Sequence, residues 1–281
     1  MGLTLVNEKN ETEIKEVLNY LFELALKYAK EGQETDTKRL IEYMKKIGKA
    51  AAVARLEPIV VNILLLFPQV ATEACKQNME NALVSIALAF GEIGKVAAEH
   101  KMETPAKIAA SCLGEIGNTA ASRRAKKGTI AVIFALGEIG KSVTWQKLGD
   151  VASNTVALLG ETGKVAASQK FEDAVLNAEL LLQEIGTGAI EKNLKETANM
   201  SVRSIQDIGK TADRHGLDKA LLQAAYSLEA IKFNAEDRYL MSASIIAEVA
   251  LLDFERLKIE RLEDKLNKIS RGKKRSPGTG L

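Results

Sequence analysis

The chain reads as an all-α superhelix: about eleven antiparallel helices on a 23-residue unit, two of which make a 46-residue hairpin. Three observations predict that solenoid. Hydrophobic residues make up 46% of the 281 residues but aromatics only 5%, so the core must be built from Ala, Leu, Ile and Val, the stuff of packed helices. A tetrad recurs at a fixed step: Gly91-Glu92-Ile93-Gly94, Gly114-Glu115-Ile116-Gly117 and Gly137-Glu138-Ile139-Gly140. Looser copies follow at Gly160, Gln183 and Gln206, and the same ruler laid backwards lands on Lys45-Lys46-Ile47-Gly48. Finally, apolar positions within each unit fall three and four apart, the spacing of one helical face.

Starting each unit ten residues before its tetrad gives Thr12, Thr35, Pro58, Asn81, Thr104, Lys127, Asp150, Asp173, Glu196, Lys219 and Ser242. Most of these are residue types whose side chains cap free first-turn amides, so they are expected to begin the helices. With the start as position 0, position 9 is apolar in every unit, from Leu21 and Met44 to Leu228 and Leu251. Position 12 is mostly Ile, and position 16 is Ala or Val from Ala51 to Ala235. Helix therefore runs through the tetrad for about 17 to 18 residues, roughly 26 Å at 1.5 Å per residue. About five residues remain for a link, which makes successive helices antiparallel. Position 21 is apolar again (Leu56, Met79, Met102, Leu148, Phe171, Leu194, Leu217), predicting links fastened back onto the helix ends.

Eleven of the 20 glycines stand at positions 10 and 13: Gly48, Gly91, Gly94, Gly114, Gly117, Gly137, Gly140, Gly160, Gly163, Gly186 and Gly209. Each costs about 1 kcal/mol in helix propensity relative to Ala, so the backbone there is expected to pack closely against a neighbouring helix. The other reading ends a helix at the second glycine and starts a short one after it. Ala25, Ala71, Lys232 and Glu255 at the same position favour a continuous helix.

The run Ala131-Val132-Ile133-Phe134-Ala135-Leu136-Gly137-Glu138-Ile139-Gly140 resembles the Ala-rich, Leu-Gly-x-Ile-Gly helix of HEAT-like and armadillo-type repeat proteins, including the lyase-associated subtype. Two units make a hairpin within the roughly 40 to 47 residues of such repeats. The resemblance implies an α-solenoid and transfers no catalytic or binding residue, because the matched positions are packing positions. The departure is that both helices of the pair carry the motif, which the family reserves for one.

Three stretches are expected: an N-terminal segment 1–11, a helical repeat domain 12–269 and a disordered basic tail 270–281. The four basic side chains of that tail, Arg271, Lys273, Lys274 and Arg275, exceed the net charge of +2, so the body is mildly acidic. The tail is either solvated or makes weak contact with nucleic acid or anionic lipid. The last helix carries Phe254, Leu257, Ile259, Leu262, Leu266 and Ile269 between charges, suited to capping the stack or pairing with another helix.

Chemistry is starved of parts. Two histidines, His100 and His215, and two cysteines, Cys75 and Cys112, exclude a disulfide-stapled scaffold and a four-thiolate zinc site, and no cofactor is expected. Glu92/Lys95, Glu138/Lys141 and Glu161/Lys164 are expected as surface ion pairs three apart on one helix. Trp145, the only tryptophan, falls in a link, where it either packs on helix ends or anchors a partner. The start MGLTLVNEKNE is not a secretory signal, and the apolar run around Pro58 to Leu66 is shorter than a bilayer span, so a cytoplasmic protein is expected. The functional expectation is a non-enzymatic scaffold binding another macromolecule, most readily a protein. The alternative is a HEAT-like enzyme or enzyme accessory, of lyase or nucleic-acid-processing type, with a cleft on its concave face.

Overall fold

A computed structural model of the chain describes Thr4, Val6 and residues 10–273, with side chains described as far as Glu260. Eleven helices follow one another: α1 (Glu11–Lys30), α2 (Glu34–Val53), α3 (Glu57–Lys76), α4 (Glu80–Glu99), α5 (Glu103–Ser122), α6 (Lys126–Trp145), α7 (Gly149–Ser168), α8 (Glu172–Glu191), α9 (Lys195–Arg214), α10 (Asp218–Asp237) and α11 (Met241–Lys273). There is no strand among the described residues. Each of α1 to α10 is 20 residues long, and every start is 23 residues after the last, so the links are three residues rather than five. The helices run unbroken through the glycine tetrads.

The links explain why helix starts were misplaced by two residues. The capping residue is not Thr12, Asn81 or Asp150 but Asn10, Met79 and Leu148, two residues earlier; from α3 to α10 it is the apolar residue of position 21, and among the caps Asn10 alone accepts a first-turn amide with its side chain. Each link is one repeated turn. In Gln146-Lys147-Leu148, the Lys147 amide donates to the Thr144 carbonyl at 3.1 Å and the Leu148 amide reaches back to Val143 at 2.9 Å. This is the Schellman ending, in which the middle residue turns left-handed and the next tucks an apolar side chain under the helix. All ten middle residues have positive φ, yet only Gly32 and Gly216 are glycine; the rest include Arg55, Asn78, Lys101 and Lys147 at 54° to 62°. Leu56, Met79, Met102, Leu148 and Leu217 are buried, which anchors the turn and offsets its backbone cost. First-turn amides are served differently: Glu11, Glu34, Glu57, Glu80, Glu103 and Glu172 stand at the first helical position, where a negative charge meets the positive helix end.

Every helix touches the next and the next but one, and none farther. The stack is therefore two layers, α2, α4, α6, α8 and α10 in one and the odd-numbered helices in the other. Within a layer the glycines set the spacing. A Cβ at Gly94 would lie 2.6 Å from Ile139 Cδ1, at Gly140 2.5 Å from Ile185 Cδ1, and at Gly163 2.6 Å from Ile208 Cδ1. In each case the position-12 side chain fills the notch left by the position-13 glycine two helices earlier. Gly91 meets Ala135 of α6, whose Cβ and Cα would be 2.9 and 3.1 Å away. The glycines thus bring next-but-one helices together, and Gly94 also admits Ala109 of the adjacent α5 at 2.8 Å.

Val6 lies in the core, and α11 runs to Lys273, past the boundary set at Ile269. Lys274 and Arg275 lie outside the described residues, as do the side chains of Arg271 and Lys273. By length and composition α3 and α4 could cross a membrane, contrary to the reading of a short run; 50% and 67% of their apolar windows are buried in the stack. Phe67 of α3 meets Phe90 of α4 edge to face, ring centroids 5.3 Å apart.

The notches make glycine replacement position-dependent. Gly91→Ala should lower the thermal midpoint despite a propensity gain, because pushing into the Ala135 backbone costs about 1–3 kcal/mol. At Gly188, where a Cβ would sit 3.6 Å from Thr144 Cγ2, the same change should raise stability by up to about 1 kcal/mol. Thermal and urea unfolding of the two variants side by side checks both signs.

Candidate interaction surface

The outward positions 3 and 7 differ between the layers. In the even layer they are Val84 and Leu88 on α4, Ile130 and Phe134 on α6, Leu176 and Leu180 on α8, and Leu222 and Tyr226 on α10. Leu88, Phe134, Leu180 and Tyr226 are 43%, 44%, 44% and 57% exposed, one beside another on parallel helices. Between them, α5, α7 and α9 of the odd layer carry Lys107 and Ser111, a buried Ser153 and Ala157, then Asn199 and Arg203, whereas α2 of the even layer carries Lys38 and Glu42, and α3 and α11 of the odd layer carry Val61 and Leu65, Ile245 and Val249. From α4 to α10, then, the large apolar side chains at position 7 stand on the even layer alone. Four large side chains on a regular pitch are more than the scattered apolar residues any surface carries.

A charged ladder borders the band. Glu92 of α4 accepts from Lys45 and Lys49 of α2 at 3.0 and 2.7 Å. Lys95 of α4 reaches Glu138 of α6 at 2.9 Å, and Lys141 of α6 bridges Glu138 at 2.6 Å and Glu184 of α8 at 3.2 Å. Glu138/Lys141 and Glu161/Lys164 pair within a helix as their spacing predicts, whereas Glu92 and Lys95 each turn to a layer neighbour instead. Hydrogen bonds from Lys141 and Lys95 hold the Glu138 carboxyl below its usual range. Burial pushes Glu92 the other way, but Lys49 and Lys45 outweigh it and the carboxyl is lowered too. A cap from the layer neighbour stands near the start of α4, where Glu34 of α2 accepts from the amides of Asn81 and Ala82 at 2.7 and 3.1 Å.

Trp145 ends α6 rather than lying in a link, and its side chain is 63% exposed. The Lys192 ammonium sits 3.4 Å from the ring centroid, a cation–π contact joining α6 to the end of α8. Beside it lies a cleft of about 410 Å³ lined by Lys141, Thr144, Gln183, Glu184 and Glu191. It is not brought together with the basic residues of the C-terminal run by anything described.

The remaining candidates do not converge. His100 and His215 end α4 and α9 separately. No group of His, Cys, Asp and Glu able to hold a metal occurs among the described residues. Burial pushes the Cys112 thiol up to about 11, aided by Glu115, and raises Cys75 as well, so both stay protonated. One group escaped the sequence reading. Glu179 of α8 is 0% exposed, both carboxylate oxygens lack a hydrogen-bond partner, and burial pushes its carboxyl well above the usual range. Its counterparts in other units include Leu18, Ile41, Leu64, Ile133 and Val156, all buried.

No family model matches the chain, and no curated protein matches it. Among solved structures, a "Circular tandem repeat protein with novel repeat topology and enhanced subunit contact surfaces" is similar with a TM-score of 0.59 and 11% identity, over 95% of this chain and 71% of that one. A "DHF46 filament" is similar with a TM-score of 0.49 and 12% identity, over 63% of this chain and 98% of that one. The first likeness supports an all-helical tandem-repeat fold. At that identity it shows the fold alone.

Two pH effects of opposite sign follow. For Glu179 the folded carboxyl titrates above the unfolded one, so ionisation favours unfolding as pH rises past 4.5. Glu179→Leu should therefore stabilise the protein by about 1–3 kcal/mol at neutral pH, with the gain shrinking toward pH 4 in urea titrations. The ladder carboxylates are depressed, so their contribution is present above 4.5 and lost as pH falls below it. Glu138→Gln should remove about half a kcal/mol at neutral pH, discounted for its exposure, and flatten the acid limb of the stability profile.

Proposed function

We propose that the chain is a HEAT-like helical-repeat scaffold that binds another protein through the even-layer face. The coarse part of that statement, a scaffold-like repeat fold, rests on the two-layer stack and its likeness to a tandem-repeat protein. The observation that carries the rest is the band Leu88, Phe134, Leu180 and Tyr226 on four successive even-layer helices, with Ser, Ala and Arg at position 7 of the intervening α5, α7 and α9. Exposed apolar residues cost nothing structurally here, since a polar side chain fits the same positions one helix away. Their retention in four alternate units supports burial against a partner. The 46-residue hairpin places the repeat in the HEAT and armadillo size range, and the links hold the band rigid, a preformed surface that loses little entropy on binding.

The test is affinity capture from the source cells with the wild-type chain and Phe134→Glu/Leu180→Glu, both bands first checked for equal thermal midpoints. A protein that co-elutes with the wild type and falls at least about tenfold with the variant fits the reading, since 1.4 kcal/mol corresponds to tenfold in affinity. Equal recovery on both would place the binding surface elsewhere, and recovery of small molecules alone would favour a ligand cleft.

A further inference from the structure

Between the layer neighbours α6 and α8 the repeat departs from itself at three positions, and the three departures meet. Position 17 is Ala in α1, α2, α4, α5 and α7 but Thr144 in α6, and position 18 is aromatic only there, as Trp145. Position 15 is glycine only in α8, at Gly188. The equivalent Ser142 of α6 donates to the Lys95 carbonyl of α4 at 3.4 Å and ties those two helices together. Gly188 has no side chain to reach Lys141 in the same way, and the cleft of about 410 Å³ opens there, lined by Gly188, Thr144 and Trp145. Thr144 is 2% exposed and its Oγ1 has no hydrogen-bond partner, whereas Thr129, Thr155 and Thr162 each satisfy theirs on the carbonyl four residues back. A buried hydroxyl left open beside a cleft is a place for a ligand atom.

The Trp145 ring already shows the kind of group it holds. Lys192 sets its ammonium 3.4 Å from the ring centroid and makes no ion pair among the described residues. Glu191, which lines the cleft, is exposed, and its carboxylate likewise has no ion pair or hydrogen bond among them. Glu184 is engaged by Lys141 at 3.2 Å, so the free counter-charge is Glu191. We propose that the cleft binds the guanidinium of an arginine side chain from a partner protein, stacked on Trp145 in place of the Lys192 ammonium, paired with Glu191 and donating one N–H to the Thr144 hydroxyl. A guanidinium suits these groups better than a second ammonium: it is flat and weakly hydrated, covers an indole face, and keeps five donors in its plane for the carboxylate and the hydroxyl. Lys192 is then the occupant of the unliganded cleft. Trp145 lies 11 residues beyond Phe134 on α6, about 16 Å along the helix, and the inference does not rest on the band.

Trp145 is the only tryptophan, so its emission reports on this cleft alone. Acetylarginine amide titrated into the full chain at constant ionic strength should change that emission saturably, with a Kd in the millimolar range that about 15 non-hydrogen atoms allow. Acetylglutamine amide should leave it unchanged. Lys192→Ala should tighten binding about threefold or more, since the ring no longer has to be vacated; damage to the fold does not produce a gain of this kind. Glu191→Gln should weaken binding about threefold or more. Thr144→Val should weaken it too while raising the thermal midpoint, because the hydroxyl it removes is unsatisfied in the free chain. A wild-type titration still linear at about 50 mM, well past the millimolar range, overturns the proposal. So does an equal response to acetylglutamine amide, or a Lys192→Ala chain that binds no more tightly than the wild type.

Discussion

The spacing between next-but-one helices is the constraint from which the rest follows. A helix surface that is Ala-rich and notched by glycine lets a side chain from two helices on enter it, as Ile139 enters at Gly94 and Ile185 at Gly140. The notch is expensive in propensity, but contact at that level is made with a fully buried Ile on one side and a helix backbone on the other. Close packing of this kind tolerates neither an added methyl nor a void. Since a 23-residue step repeats the notch at one height in every unit, the helices of a layer are forced parallel and in register, and their outward positions line up.

That alignment converts a one-dimensional pattern into surfaces. The Lys-to-Glu ladder exists because position 14 of one helix stands opposite position 11 two helices later, as in Lys49–Glu92 and Lys95–Glu138. The apolar band exists for the same reason at position 7. Neither needs long-range design beyond the repeat, because nearest-neighbour geometry along a solenoid is copied from unit to unit. The three-residue links transmit the register: a left-handed residue followed by a buried apolar one allows little freedom, as in Arg55-Leu56, Asn78-Met79 and Lys147-Leu148.

Much of the fold was legible because it is written in the 23-residue period, which is independent of where any one helix begins. Helix boundaries were less so. Thr, Asn and Asp at the unit starts look like caps, but the turn ahead of them ends on a buried apolar residue, and a Glu at the first helical position takes over the electrostatic part of capping. The band escaped because position 7, averaged over all eleven units, mixes Leu88 and Phe134 with Ser111 and Arg203; the 46-residue alternation holds only from α4 to α10 and is broken by Glu42, Leu65 and Val249 at the ends. Glu179 escaped for a related reason, being one carboxylate in a chain with 37 acidic residues until its apolar counterparts are set beside it.

The 46-residue alternation also explains why the two layers can specialise. Core positions must satisfy contacts to both neighbours and therefore vary little between odd and even units, whereas an outward position is seen by no other helix. Divergence at position 7 carries little packing cost, which lets α4, α6, α8 and α10 keep Leu88, Phe134, Leu180 and Tyr226 while the helices between them carry Ser111, Ala157 and Arg203. At α11 the period itself breaks: Gly209 accepts Phe254 where earlier notches accept Ile or Thr, and the helix then continues past the length its neighbours can cover. A helix that served only to close the stack would end at the 20 residues of its neighbours and turn a polar face outward. This one keeps Ile245, Leu252 and Ile259 exposed on a heptad spacing, the spacing on which helices pair.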